Sequence, residues 1–458
     1  MKSVLNNISE MKNRSISIIG LGQSGVAVAQ LANYLGAKVF ISDSTSSKFV
    51  KKNLALLKSI GINGEIGGHS ENIYKTNLMV ISPGVPADSK VVTEAINRRI
   101  KVVGEIEFAS LFTESPIVGV TGSNGKSTTV HALAKMCQTD QVHGILAGNV
   151  GLAFSNKVLE ELHNPDPKRV YILEISSFQM EFVEKFHPFI SIFLNISPDH
   201  LDRHKTFENY LSTKLRLAKN QTINDYIIYN SMDVSLVQNL NKNYPTKKLT
   251  FGTKYSDNSI YSLKNSNIIN KECAKLTQLK DIGLPGQHNI LNLLAAATGA
   301  HCLGISDEKI SEVMETFNGI PHRLETIANI NGIEFVNDSK ATNIDAVKVA
   351  IESYEKPIIL ILGGLAKGNN FAELASFKNK IEHIFAYGNA RSMIHSELSP
   401  KFSVTTIELL QDTVKLSCQK AKDGEIVLLS PGCASFDQFK NFEDRGNQFS
   451  AWVRELNQ

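Results

Sequence analysis

Short apolar runs alternate with segments whose apolar residues recur at helical spacing, and this rhythm repeats along the chain. Ser15 to Gly20 reads as a buried strand, Val26 to Leu35 as a helix, Lys38 to Ser42 as a second strand and Leu78 to Ile81 as another. The pattern returns with Pro116 to Val120, a helix-competent segment from near Ser127, and strands at Val170 to Leu173 and Ile190 to Leu194. A third round places strands at Ile333 to Val336, Pro357 to Leu362, Ile384 to Ala386 and Glu425 to Leu429. Such strand, helix, strand alternation predicts parallel sheets of the α/β class. Residues 231 to 280, rich in Asn, Lys, Ser and Thr, predict short strands and exposed turns without chemistry.

A chain of 458 residues exceeds one ordinary core. The polar, proline-terminated Thr113-Glu114-Ser115-Pro116 and the turn-forming Gly319-Ile320-Pro321 divide it into residues 1–113, 114–319 and 320–458. The expected architecture is a Rossmann-like N-terminal domain, a central P-loop ATPase-like domain, and a Rossmann-like C-terminal domain with no phosphate loop of its own. Composition narrows the partners: 42% hydrophobic and 20% charged residues fit a globular protein, and a net charge of +3 gives no basic field for nucleic acid. The five cysteines, Cys137, Cys273, Cys302, Cys418 and Cys433, are scattered without a C-x-x-C pair, which argues against a disulfide framework and a structural zinc site. No apolar run approaches membrane-spanning length and Met1 to Arg14 has no signal-like core, so the expected location is cytoplasmic, without membrane insertion.

The most specific chemistry lies at Thr121-Gly122-Ser123-Asn124-Gly125-Lys126-Ser127-Thr128, between an apolar strand and a helix. Glycines let backbone N–H groups turn toward phosphate oxygens, Lys126 supplies a charge, the helix N-terminus adds its dipole, and Ser127 or Thr128 offers a hydroxyl to magnesium. The full G-x-x-x-x-G-K pattern would need glycine at Val120, so the match is to the shorter G-x-x-G-K-[ST]. The competing reading is a Gly-Asn turn capped by Ser127.

A weaker fingerprint, Gly20-Leu21-Gly22-Gln23-Ser24-Gly25, precedes Asp43 by the distance at which a carboxylate receives ribose hydroxyls. It is open to a dinucleotide, to another nucleotide diphosphate, or to a plain tight turn. Ser82-Pro83-Gly84-Val85-Pro86 forms a loop at the carboxyl edge of the same sheet. In the middle segment Glu174 ends a buried strand, where a carboxylate is costly unless it meets a cation. His200 sits in Pro198-Asp199-His200-Leu201-Asp202-Arg203-His204, read as a loop. Both suit magnesium shared with phosphate, although imidazole is an unusual ligand for it. The alternatives are a carboxylate capping the next turn and a histidine bonded to Asp199 or Asp202.

Gly122 to Thr128, Glu174-Ile175-Ser176-Ser177-Phe178-Gln179, Asn195 with Asp199 to His204, Gly286-Gln287-His288-Asn289 with Asn292, Pro321-His322-Arg323 and Asn337 to Asn343 together resemble the Mur ligases over essentially the whole chain. The intact N-terminal glycine fingerprint and the C-terminal Leu429 to Phe439, followed by Arg445-Gly446, resemble the branch that adds D-glutamate to UDP-N-acetylmuramoyl-L-alanine. No Asp-Asn-Pro-Arg motif of a diaminopimelate-adding ligase is present.

The resemblance implies an ATP-dependent, amide-forming ligase of peptidoglycan precursor synthesis that works as a monomer with two magnesium ions. It implies UDP-sugar binding by Gly22, Gln23, Ser24, Asp43, Ser82, Pro83 and Gly84. ATP would be held by Gly122, Ser123, Asn124, Gly125, Lys126, Ser127 and Thr128, with Asn289 and Asn292 at adenine and Arg323 and Asp338 at phosphate or ribose. Ser127, Glu174, His200 and Lys214 would serve the metals, and Asn149 would complete the reacting end. Lys340, Thr342, Lys367, Ser435 and Phe442 match the D-glutamate site. For Lys214 the resemblance implies a carbamate, whereas its residues alone read as a helix-surface lysine of pKa about 10.4 that stays protonated. Two other classes remain at this stage, an NAD-dependent oxidoreductase using residues 15 to 43 and a nucleotide-binding regulator; the former leaves Glu174, His200 and Asp338 to Asn343 without a task.

Overall fold

The strands are short and mostly buried on both faces, as parallel sheets covered by crossover helices require. In the computed structural model all residues are described except Met1, Tyr255, Pro285, 367–369, Asn457 and Gln458, and for Lys2, Ser3, Asp202, Lys242 and Asn243 the backbone alone is described. Lys367 therefore lies outside the described residues. Met1–Phe317 forms one compact unit and Asn318–Gln458 another.

The first unit opens with five parallel strands, β1 (Ser15–Ile19), β2 (Lys38–Asp43), β3 (Asn63–Ile66), β4 (Leu78–Ile81) and β5 (Lys101–Gly104), in the order β3-β2-β1-β4-β5. The helix Gln23–Tyr34 returns the chain from β1 to β2 on a buried face of small residues, Gly25, Ala27, Val28, Ala29, Leu31 and Ala32. Gly25 is dictated by that packing, since a Cβ there would lie 1.8 Å from the Gly20 carbonyl oxygen.

A second parallel sheet contains β6 (Ile117–Thr121), β7 (His143–Gly148), β8 (Arg169–Glu174), β9 (Ile190–Phe193), β10 (Tyr226–Asn230) and β11 (Lys247–Phe251), in the order β11-β10-β9-β6-β8-β7. Its central strands β6, β8 and β9 are buried throughout. The helix Lys126–Met136 covers one face, and Gln287–Cys302 packs on it through an alanine-rich run from Leu293 to Ala300. Residues 231–280 depart from the expected strands and turns. They include a helix, Val234–Asn243, because Asp233 accepts from the Leu236 N–H and Leu236 and Leu240 bury one helical face. The antiparallel sheet β12 (Tyr261–Lys264), β13 (Asn267–Asn270) and β14 (Lys275–Gln278) completes this segment.

The second unit holds β15 (Glu325–Ile330), β16 (Ile333–Asn337), β17 (Ile358–Gly363), β18 (Ile381–Tyr387), β19 (Val404–Ile407) and β20 (Ile426–Gly432), in the order β15-β16-β20-β17-β18-β19. Five strands are parallel, as a Rossmann-like sheet requires, but β15 pairs antiparallel with β16 through a short hairpin at Asn331-Gly332. Among the described residues no helix is long and apolar enough to cross a membrane, and all five cysteines are free.

Candidate functional site

Open parallel sheets bind ligands beyond the carboxyl ends of their strands, where the strand order reverses. In the first sheet that point lies between β1 and β4. The glycine turn after β1 and the loop after β4 meet there: the Ser82 N–H donates to the Ile19 carbonyl at 3.0 Å and its hydroxyl lies 3.4 Å from the Gly20 carbonyl. Gly22 caps the following helix with no side-chain bond and a Cβ there would meet nothing within 4 Å, so the helix of Gln23 and Ser24 starts without a side-chain acceptor for its first N–H groups. Asp43 is tied into this turn, accepting from the Leu21 N–H at 2.7 Å and from the Thr45 N–H and hydroxyl at 2.8 Å. Burial raises its carboxyl, but these bonds outweigh the effect and hold it below the usual carboxylate range.

In the second sheet β6 lies at the reversal, flanked by β8 and β9. The segments that leave these three strands are Thr121 to Thr128, Glu174 onward and Asn195 onward, so one topological fact gathers the three clusters. Asn195 fastens the phosphate loop: its side chain accepts from the Asn124 N–H at 2.8 Å and donates to the Asn124 carbonyl at 3.0 Å, while its carbonyl accepts from the Ser123 N–H at 2.8 Å. The Ser123 hydroxyl reaches the Ser197 carbonyl at 2.9 Å and Tyr210 at 3.1 Å. Helix Lys126–Met136 starts at Gly125 without a side-chain cap, so Ser127 does not close a simple turn. Gly125 has a φ of 86°, and a Cβ there would lie 2.1 Å from the Asn292 side-chain oxygen. This places Asn292 directly over the loop. Asn289, three residues earlier, stands in the first turn of the same helix, its N–H on the Gly286 carbonyl at 3.0 Å. The Lys126 ammonium donates to the Gly122 and Ser123 carbonyls at 2.8 and 2.9 Å, curled over the loop.

Lys214 overturns the expectation of a helix-surface lysine. It is 2% exposed, because Tyr210, Thr213 and Lys214 form the buried face of helix Phe207–Leu215. Its ammonium donates to the Gly122 carbonyl at 2.9 Å and the Thr121 hydroxyl at 3.4 Å, and sits over the Tyr210 ring. Burial, assisted by the Lys126 charge, pushes its pKa down to about 7, against the pull of Asp199 and Glu174. An amine in that range is partly neutral near pH 7, unlike an ordinary lysine.

Glu174, the last residue of β8, is 3% exposed. One carboxylate oxygen accepts from the Asn149 amide at 2.8 Å, and the other has no partner among the described residues. A buried carboxylate oxygen left without a donor fits a cation. Asn149 is bound to the same residue through its N–H, on the Glu174 carbonyl at 2.8 Å. His200 is half-exposed, with a φ of 52°, 3.5 Å from Asp199, its ring 4.9 Å from that of Phe178. Leu201–His204 forms a short helix, so only the first half of the expected loop is irregular. Among the described residues no three His, Cys, Asp or Glu side chains converge as an all-protein metal cage. Magnesium seldom uses one, taking one or two carboxylates together with phosphate oxygens and water. Of the residues expected to serve a metal, Glu174, with its buried unpartnered oxygen, is the one whose surroundings fit such an ion.

In the second unit Asp338 follows β16 and is 5% exposed, accepting from the Ser430 hydroxyl at 2.8 Å and the Leu324 N–H at 3.3 Å. Burial raises its pKa to about 7 despite these bonds and the nearby Arg323 and Lys340. Arg323 and Thr342 are exposed, and the Lys340 N–H donates to the His322 carbonyl at 3.0 Å. Ser435 is buried and Phe442 half-buried at the start of helix Phe442–Glu455.

Sequence reasoning noticed Arg445 only as part of a motif, yet it joins these segments. Fully buried, it donates to the Ser339 hydroxyl at 2.9 Å, the Ser339 carbonyl at 2.8 Å, the Cys433 carbonyl at 3.1 Å and the Tyr387 hydroxyl at 3.3 Å, and Ser339 in turn donates to the Phe442 carbonyl at 2.8 Å. The available signal was periodicity: Arg445, Phe449 and Val453 share one helical face, which places the guanidinium inward. Glu107 was missed as well. Buried in helix Glu105–Ser110, it accepts from the N–H groups of Glu184, Lys185 and Phe186 and so ties the first sheet's last helix to the segment after β8.

Two helix starts at sheet reversals, one with a buried lysine beside it, are the places where α/β nucleotide-dependent enzymes hold phosphates, and family models name the class. A Mur ligase MurD-like N-terminal domain matches residues 14–104, a Mur ligase middle domain 120–300, and a Mur ligase glutamate ligase domain 322–433. The chain belongs to the Mur ligase family. Within it, the chain is 38% identical over 460 residues to the UDP-N-acetylmuramoylalanine–D-glutamate ligase of Thermoanaerobacter sp. (strain X514), covering 98% of this chain and 99% of that one. It is 38% identical over 451 residues to the enzyme of the same name from Christiangramia forsetii, covering 97% and 100%. Among solved structures, the fold is similar to MurF ligase from Thermotoga maritima in complex with ADP, with a TM-score of 0.55, 16% identity and 100% of both chains covered. It is similar also to UDP-N-acetylmuramate-alanine ligase MurC from the same organism, with a TM-score of 0.53, 18% identity and coverage of 96% and 99%.

Proposed function

We propose that the chain joins D-glutamate to UDP-N-acetylmuramoyl-L-alanine at the expense of ATP, with the phosphate loop and Lys214 at the reacting centre. The observation that supports it most is the burial of Lys214 against the Gly122 carbonyl, which brings an amine of lowered pKa to the phosphate loop. Relatives of the same length carry this activity in their names.

In this reading Gly22, Gln23 and Ser24 receive the sugar nucleotide's diphosphate at an uncapped helix start, with Asp43 and Ser82 to Gly84 toward uridine. Gly122 to Thr128 cradle the triphosphate, Asn289 and Asn292 meet adenine, and Arg323 and Asp338 meet phosphate or ribose. Lys340, Thr342, Lys367, Ser435 and Phe442 hold D-glutamate, whose two carboxylates call for cations and hydroxyl or backbone donors. Ser127 and Glu174 would hold one magnesium ion, and His200 with the Lys214 carbamate a second. Bound magnesium would supply charge neutralisation along the phosphate chain. Asn149 orients Glu174 for that role through its amide.

A carboxylate is a poor electrophile, so the L-alanyl carboxylate oxygen first takes the γ-phosphoryl group and ADP leaves. The D-glutamate amine then attacks the acyl phosphate carbon, loses a proton, and expels phosphate from a tetrahedral intermediate. Lys126, released from the Gly122 and Ser123 carbonyls, would follow the γ-phosphoryl oxygens, and the helix beginning at Lys126 would add its dipole. Carbamate formation requires the neutral Lys214 amine to attack carbon dioxide, forming an N–C bond and releasing one proton.

The experiment is turnover of substrate labelled with oxygen-18 in the L-alanyl carboxylate. One labelled oxygen should leave in each inorganic phosphate; unlabelled phosphate with amide product formed would exclude the acyl phosphate.

A further inference from the structure

The guanidinium of Arg203 is engaged on every side where the first two sheets approach each other. Its Nε and Nη2 form a two-pronged pair with the Glu181 carboxylate at 2.9 and 2.7 Å. Its Nη1 donates to the Pro83 carbonyl at 2.9 Å and Nη2 to the Val85 carbonyl at 3.1 Å. Its flat face lies 4.2 Å from the centre of the Phe178 ring. Both charged side chains are mostly withdrawn from solvent, at 16% and 12% exposure.

These partners belong to two different binding regions. Pro83 and Val85 lie on the loop that meets Gly20 at the reversal point of the first sheet. Phe178 stands between Arg203 and His200, whose ring is 4.9 Å away, and it stacks on His204, which bonds the Ser177 hydroxyl at 2.9 Å. One side chain thus links the sugar-nucleotide loop to the segment carrying His200. The same loop is held by the Ser82 N–H on the Ile19 carbonyl and by Val85 packed against the cluster of Ile19, Ile73 and Ile81, and a small cavity lined by Ser82, Pro83, Val85, Glu105, Phe178 and Phe182 adjoins it.

We propose that Arg203 is a positioning residue, which fixes the bound sugar nucleotide's acyl end relative to the phosphoryl-transfer centre. The inference rests on the ligase reading above. Only arginine can do all three things at once, since the planar fork pairs with a carboxylate in two bonds, keeps further donors for carbonyls, and offers a face to an aromatic ring. Lysine would retain the charge beside Glu181 but hold at most part of the set.

The test compares wild type, Arg203→Lys and Phe178→Leu by steady-state kinetics, by calorimetric binding of UDP-N-acetylmuramoyl-L-alanine, and by thermal melting. A misplacement near 1 Å costs about 100-fold in rate. Arg203→Lys should therefore lower kcat by about that factor, with less than about tenfold weaker sugar-nucleotide binding and ATP and D-glutamate KM values within about twofold of wild type. Phe178→Leu, which removes the stacking face and spares the ion pair, should fall between the two. Unchanged kcat in Arg203→Lys would overturn the inference, as would a parallel rise of all three KM values with a lowered melting temperature, which marks a structural role alone. Wild type that turns over while Arg203→Lys behaves normally defeats this inference only; wild type without sugar-nucleotide-dependent ADP release defeats the ligase reading and this inference with it.

Discussion

The Lys214 ammonium lies 2.9 Å from the Gly122 carbonyl, inside the first turn of the phosphate loop. Burial, and then the neighbouring Lys126 charge, lower its pKa well below that of an ordinary lysine. A carbamate would convert this cation into an anion, and beside the unpartnered Glu174 oxygen it would call for a metal cation. Lys214→Ala should lower kcat by at least about 100-fold, comparable to the loss of one oxyanion-stabilising group. Short-chain carboxylates such as acetate should restore part of the rate by filling the vacated space. Absence of any rescue in a variant that still melts like wild type would count against the carbamate.

Gly125 occupies the left-handed region and faces Asn292. Gly125→Ala would pay about 1–3 kcal/mol for its backbone alone and would push Asn292 aside. The expected result is an ATP KM raised by about tenfold or more, since 1.4 kcal/mol corresponds to a factor of ten, with sugar-nucleotide affinity preserved. Equal weakening of both ligands in calorimetry would show that the loop and Asn292 are not specific to ATP.

Glu105 is buried, with one oxygen accepting from the Ser155 N–H at 2.6 Å and the other unpartnered among the described residues. Burial raises its pKa in the folded protein against the bonds from Ser155. Below the unfolded value, about 4.3, both states are protonated and the folded state keeps its full stability. As pH rises, the unfolded carboxyl ionises first and stability is lost up to the folded pKa. Glu105→Gln removes this dependence. The melting temperature of wild type minus that of the variant should fall between pH 5 and pH 8, by about 2 °C or more; a constant difference would contradict a raised folded pKa.

Much of this architecture is legible in the sequence because its signals are local. β4 runs from Leu78 to Ile81 as the apolar run does, and Gly122 to Thr128 stand between a strand and a helix as the glycine spacing requires. Lys214 was readable in principle, since Tyr210 and Lys214 share a helical face, but a single lysine on such a face usually snorkels to solvent. What buries it is the approach of the phosphate loop, a contact between residues 92 apart in sequence. Asn195 and Arg445 were visible only as parts of motifs, and their contacts escaped for the same reason, since their partners belong to other strands and loops. β15 shows the reverse case: its residues alternate modestly, and only the turn at Asn331-Gly332 folds it back antiparallel.

The central claim is that Lys126 and its loop activate a carboxylate for attack by an amine. ADP release, measured with ATP and with each of the other two substrates present or omitted, tests it most directly. ADP should be released in continuous turnover only when UDP-N-acetylmuramoyl-L-alanine and D-glutamate are both supplied; without D-glutamate, release should stop at about one ADP per enzyme, formed with the acyl phosphate. Lys126→Ala should reduce that release by at least about 1000-fold while sugar-nucleotide binding stays measurable. Sustained ADP release without D-glutamate, or with Lys126 replaced, would contradict the account.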